Sequence, residues 1–114
     1  MSRYLISFPG SAMDHVPRPE MQAVADAAHA VIRAAKDAGV YVFSGGLNAD
    51  APPVLVAADG TVTDGTYPTT PSLDGGFTVV EVASRDEALG WAARLATACR
   101  CAQEVREFHD DPLA

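Results

Sequence analysis

Phe77-Thr78-Val79-Val80-Glu81-Val82 runs without a linker into Ser84-Arg85-Asp86-Glu87, and this junction constrains the fold more than any other segment. The six-residue run carries large side chains at both parities, so both faces of the strand are covered and it belongs at the centre of a sheet. The four residues after it form a capping box. Ser84 can accept from the backbone N–H of Glu87, and Glu87 can reach back to Ser84. Asp86 and Glu87 also suit the positive end of a helix dipole. The helix so opened shows Ala88, Ala92, Leu95, Ala96 and Cys99 on one face, with Trp91 at its edge.

A second helix is written just as plainly. Met21, Val24, Ala25, Ala28, Val31, Ile32 and Ala35 recur at helical spacing and form one stripe roughly 120° wide. Asp26, Arg33 and Asp37 lie opposite. Pro19 suits the first turn, and Gly39 ends the helix as a left-handed cap. Much of the stripe is alanine, which lets a sheet approach closely. Strand-forming runs surround the two helices: Arg3–Phe8, closed by Pro9-Gly10; Val40–Phe43, ending at Ser44-Gly45-Gly46; Val54–Ala57; and Cys101–Phe108, whose interleaved charges mark an edge. Asp59-Gly60 is a hairpin turn, with Val62 and Thr63 starting the return strand. From Asp64 to Gly75 the chain is all turn chemistry.

The order is β-α-β, hairpin and loop, β-α-β, over 114 residues read as one domain, 1–114. That is the ferredoxin-like split βαβ layout, an α+β fold with helices on one face of an antiparallel sheet. The other face would be apolar and open to water. A small domain hides such a face by pairing, so a homodimer through the sheet faces is expected, making a barrel-like core.

Composition narrows the function classes. Hydrophobic content of 48% and charged content of 20% fit a folded globular chain. A net charge of −7 with no basic cluster argues against nucleic acid and anionic membranes as partners. No segment approaches the ~20 apolar residues of a membrane span, and the N-terminus lacks a signal-peptide pattern, so the cytoplasm is the expected location. Cys99 and Cys101 read as reduced thiols. Were both on the last strand they would share a face, with Cα atoms ~6.6 Å apart. Two sulfurs make a poor zinc site, and His109 lies on a tail, so no metal is expected. Ser44-Gly45-Gly46 lacks the Lys-Ser or Lys-Thr and the helix of a phosphate loop. There is no dinucleotide fingerprint, no HExxH and no nucleophile elbow, and no cofactor is expected.

The stretch Asp64-Gly65-Thr66-Tyr67, closing on Asp74-Gly75-Gly76-Phe77 before the Ser84 helix, resembles the YCII-related family, in particular its DGPF branch. In that branch the loop opens Asp-Gly-Pro-Phe, closes on Gly-Gly-Phe or Gly-Gly-Tyr, and precedes a helix beginning Asp-Glu-Ala. Here Thr66 replaces the proline and Tyr67 the phenylalanine. The family's charged Ala-Glu-Thr-Lys-Glu is replaced by uncharged Pro68-Thr69-Thr70-Pro71-Ser72. The resemblance implies a dimeric α+β barrel over most of the chain. It also implies a histidine site on the first helix, carried to His29 by its spacing to Gly39, with the acidic partner unassigned.

His29 has Asp26 at i−3 and Arg33 at i+4, opposing influences that can hold an imidazole near neutrality. The bland alternative is a solvated histidine on the helix shoulder. Asp64 can be a base or ligand at a strand end, or can cap a turn through its own backbone. Tyr67 and Asp74 flank the loop as candidate substrate-binding residues, and Tyr67 can equally pack the loop down. Gly75 and Gly76 read as allowing close backbone approach. Two functions follow. One is a cofactorless enzyme with His29 as general base or acid and Asp64 as orienter or second acid. The resemblance alone implies its lyase or isomerase chemistry, on a small oxygenated or aromatic molecule. The other is a non-catalytic metabolite-binding or accessory homodimer.

Overall fold

The computed structural model describes residues 1–70 and 73–114. Pro71 and Ser72, the end of the uncharged run, lie outside the described residues. The chain forms strand β1 (Ser2–Phe8), helix α1 (Met21–Asp37), β2 (Tyr41–Gly46), β3 (Val54–Val56), β4 (Val62–Asp64), β5 (Gly76–Val82), helix α2 (Arg85–Cys99) and β6 (Glu104–Glu107). Four strands make one sheet in the order β2-β5-β1-β6, with every neighbouring pair antiparallel. This is the ferredoxin-like α+β arrangement. The run from Phe77 to Val82 is interior, between β2 and β1, and carries apolar side chains toward both faces.

Alternation along β1 and β5 decides which face holds the core. Tyr4, Ile6, Val80 and Val82 point to the helices and meet Ala88, Ala92 and Leu95 of α2, with Val31 and Ile32 of α1 packed alongside. Ile6, Val80 and Val82 are almost wholly buried. The alanines let the helices sit down on the strands, and the molecule is only 20 Å through its thinnest dimension. Helix ends are well specified. Glu87 N–H donates to Ser84 Oγ at 3.2 Å, as the capping box requires. The reciprocal bond differs from the sequence reading: the Glu87 carboxylate accepts from Ala83 N–H, one residue earlier than Ser84. Gly39, at φ +75°, closes α1. Pro19 falls in a 3-10 turn, Arg18–Glu20, that leads into α1.

Two features depart from the sequence reading. α2 ends on Arg100, a non-glycine in the left-handed region at φ 58°, and Arg100 pairs with Glu20 just before α1. That ion pair fastens the end of α2 to the start of α1. Cys99 therefore closes the helix and Cys101 lies in the following turn, and β6 begins only at Glu104. The strand geometry considered for the two thiols does not apply. Burial pushes the Cys99 thiol up from its ordinary value, with a smaller contribution from Cys101.

The β3–β4 hairpin forms its own two-stranded sheet, turning at Asp59-Gly60. Val54, Val56 and Val62 share one of its faces and are all exposed. The hairpin stands away from the main sheet, and the radius of gyration is 15.7 Å where about 13 Å is usual for a chain this long.

Candidate functional site

The residues of the opposite parity build the sheet's second face. Arg3, Leu5 and Ser7 of β1 lie beside Glu81, Val79 and Phe77 of β5. β6 adds Glu104 and Arg106, in register with Ser7 and Leu5. On β2 a register shift between Tyr41 and Phe43 inserts an extra residue. Phe43 is thereby set against Val79 and is 62% exposed, and Val42 also borders this face. No helix covers it.

Clefts indent that face at both of its ends. One, of about 480 Å³, lies between Arg3, Val42, Val79 and Glu81 and the segment from Phe108 onward. Arg3 Nε donates to Glu81 across the strands at 2.8 Å there. The second, of about 430 Å³, lies at the other end, under the loop before β5. Its floor is Leu5 and Phe77, Phe8 and Pro9 border it at the end of β1, Leu73 closes it from the loop, and its polar groups are Ser7, Thr69, Thr70, Glu104 and Arg106. Arg106 Nη2 forms an ion pair with Glu104 at 2.6 Å.

The Gly-Gly step explains how the loop reaches this position. A Cβ on Gly75 would fall on the backbone carbonyl of Phe8, and one on Gly76 would lie 2.8 Å from the Phe8 ring. Only glycine lets the loop cross the end of β1 this closely. Asp74 fastens the crossing: its Oδ1 accepts from Gly10 N–H at 3.1 Å. Tyr67 contributes its backbone, whose carbonyl accepts from Thr70 N–H at 3.0 Å and from the Thr70 hydroxyl. Its side chain is 69% exposed. Asp64 ends β4 opposite Val54, and Gly65, at φ +109°, turns the chain while its N–H donates to Pro53.

His29 sits elsewhere. It is exposed on α1, in the helix layer, on the far side of the sheet from both clefts. Among the described residues it makes no hydrogen bond or ion pair, and the Asp26 carboxylate accepts instead from Gln22 at 2.9 Å. Asp64, Tyr67 and Asp74 belong to the hairpin end and the loop, so the structure does not bring His29 together with them. None of the four lines either cleft. The groups that do line the second cleft, Ser7, Glu104 and Arg106 above all, belong to strand runs and to no motif in the sequence. The signal that could have found them was the alternation of β1 and β6, which sets a hydroxyl and an acid–base pair on the uncovered side.

The YCII-related domain model matches residues 10–109, most of the chain. The chain belongs to the YCII-related family. Among solved structures, this YCII-related chain is similar to 5-chloro-2-hydroxyhydroquinone dehydrochlorinase (TftG) from Burkholderia phenoliruptrix, in complex with 2,5-dihydroxybenzoquinone. The identity is 17%, 96% of this chain and 95% of that one are covered, and the TM-score is 0.46. A search of curated proteins gave no match. Among the described residues no helix is long and apolar enough to cross a membrane.

Proposed function

We propose that this YCII-related protein is a homodimer that binds a small molecule in the cleft beneath the loop before β5. Family membership is compatible both with a small-molecule-converting enzyme and with a binding protein. One observation carries the choice of place: an apolar floor of Leu5 and Phe77 is edged by Ser7, Glu104 and Arg106 on the sheet face turned away from α1 and α2. Apolar enclosure with a few convergent polar groups is the usual make-up of a ligand site. Pairing through the same face would hide Phe43 and Val42 and close the clefts from outside.

The enzyme reading, with His29 as general base and Asp64 as orienter or second acid, has less support. A general base has to come within hydrogen-bond reach of the proton it takes, and His29 lies across the sheet from the cleft. The loop's loss of charged residues favours binding as well. The deciding experiment is an NMR titration with a panel of small carboxylates and phenols, on the native chain and on His29→Gln. On this reading the amides of Leu5, Ser7 and Phe77 shift and the His29→Gln affinity is unchanged. Ligand shifts centred on α1, or binding lost in His29→Gln, would return the site to His29.

A further inference from the structure

Resting on the reading of the second cleft as a ligand site, we infer that its ligand is an apolar molecule carrying a carboxylate with a hydroxyl beside it, recognised by Arg106 and Glu104. Arg106 and Glu104 stand two apart on β6, so both point to the open face, next to Leu5 and Ser7 of β1. Their ion pair uses Arg106 Nη2. Among the described residues no N–H group of Arg106 makes a hydrogen bond beside that ion pair, and a guanidinium has five in a fixed planar fork. The fork can therefore hold Glu104 on one side and a ligand carboxylate on another. Glu104 keeps lone pairs free after binding Arg106. It adds an acceptor next to the donors, which a ligand hydroxyl satisfies.

Charge balance argues for this two-part recognition over plain anion binding. The pair is neutral as a whole and the chain carries −7. A bare carboxylate would meet Glu104 as a like charge, whereas a hydroxyl placed toward Glu104 turns that repulsion into a hydrogen bond. The rest of the cleft sets the ligand's body: Leu5, Leu73 and Phe77 offer a surface for an aromatic or aliphatic group and no further charge.

Three probes of similar shape separate the parts: mandelate, with ring, hydroxyl and carboxylate; phenylacetate, without the hydroxyl; and 2-phenylacetamide, without the hydroxyl or the charge. Calorimetric titration of the native dimer is expected to rank them in that order, with mandelate on the order of tenfold tighter than phenylacetate. Arg106→Gln is expected to erase the difference between phenylacetate and the amide. Glu104→Gln is expected to shrink the difference between mandelate and phenylacetate and leave the other difference standing. Both positions are exposed on an edge strand, and circular dichroism of each variant checks that it folds. Equal binding of all three probes at the Leu5–Phe77 cleft would overturn the inference and leave the ligand site in place. So would either variant keeping the native ranking unchanged. If none of the three shifts the cleft amides by NMR while another compound of the panel does, the inference fails alone. If no compound does, the ligand site fails with it.

Discussion

One sheet has two faces of opposite character. Toward the helices, Ile6, Val80 and Val82 are sealed under an alanine-rich layer. On the other side their sequence neighbours Leu5, Val79 and Glu81 are only half-buried, and Phe43 is largely exposed. The same strands supply both, so strand propensity cannot be the cause. The difference lies in what each face has been given to pack against. The covered face is finished within one chain and contributes stability. The uncovered face holds the clefts and the charged pairs Arg3–Glu81 and Arg106–Glu104, and it is where a partner copy and a ligand are proposed to bind.

The sharpest way to break the contrast is to truncate adjacent residues of β1. Ile6→Ala is expected to cost about 2–5 kcal/mol, because a filled core site becomes a cavity. Leu5→Ala is expected to cost less than half as much in urea denaturation at concentrations where the chain is a single subunit. Equal losses would mean that the two faces are equally packed. Next in size is the loop over the second cleft. Gly75→Ala puts a Cβ onto the Phe8 carbonyl and is expected to cost about 1–3 kcal/mol or more. Gly90→Ala, on α2 with open space around it, is expected to add about 0.5–1 kcal/mol of stability. Thermal unfolding of the two variants reads both signs.

Removing the cap of the covering layer is a smaller change. Ser84→Ala is expected to cost about 1 kcal/mol by loss of the bond to Glu87 N–H, without changing ligand affinity at the far face. The smallest effect is on pH dependence. Burial raises the Cys99 thiol in the folded chain, so folding favours the protonated form. The stability this contributes is fully present below the ordinary thiol value and is lost as pH rises through the raised one. Unfolding midpoints of the native chain should fall more steeply above neutral pH, in the alkaline range, than those of Cys99→Ala. A slope that is the same in both would place Cys99 outside the sealed layer.

Much of this contrast is legible from local chemistry. The Val24–Ala35 stripe, the left-handed Gly39, the Ser84 cap and the two-sided apolar run of β5 each have a short-range cause, and they led directly to the layout. What is not legible depends on distant partners. Arg100 occupies a glycine-like conformation, and its side chain pairs with Glu20, eighty positions away. The last strand starts late because that left-handed turn comes first. The extra residue at Val42 in β2 has no signal in its own sequence. His29 illustrates the limit for the site: its spacing to Asp26 and Arg33 is correct on the helix, yet Asp26 binds Gln22, and which side of the sheet a cleft opens on is decided by the whole fold. The Gly-Gly step did carry a readable message, since close backbone approach is what brings the loop across β1; the bond from Gly10 N–H to Asp74, a candidate substrate-binding residue in the sequence, depends on a partner sixty-four positions away.

The central claim is that the uncovered face is completed by a second copy. Sedimentation equilibrium of the unaltered chain at micromolar concentration tests it most directly. The expected result is a species of twice the 11.9 kDa subunit mass, converted to single subunits by Phe43→Asp. A stable, well-behaved 11.9 kDa species across that range would contradict it.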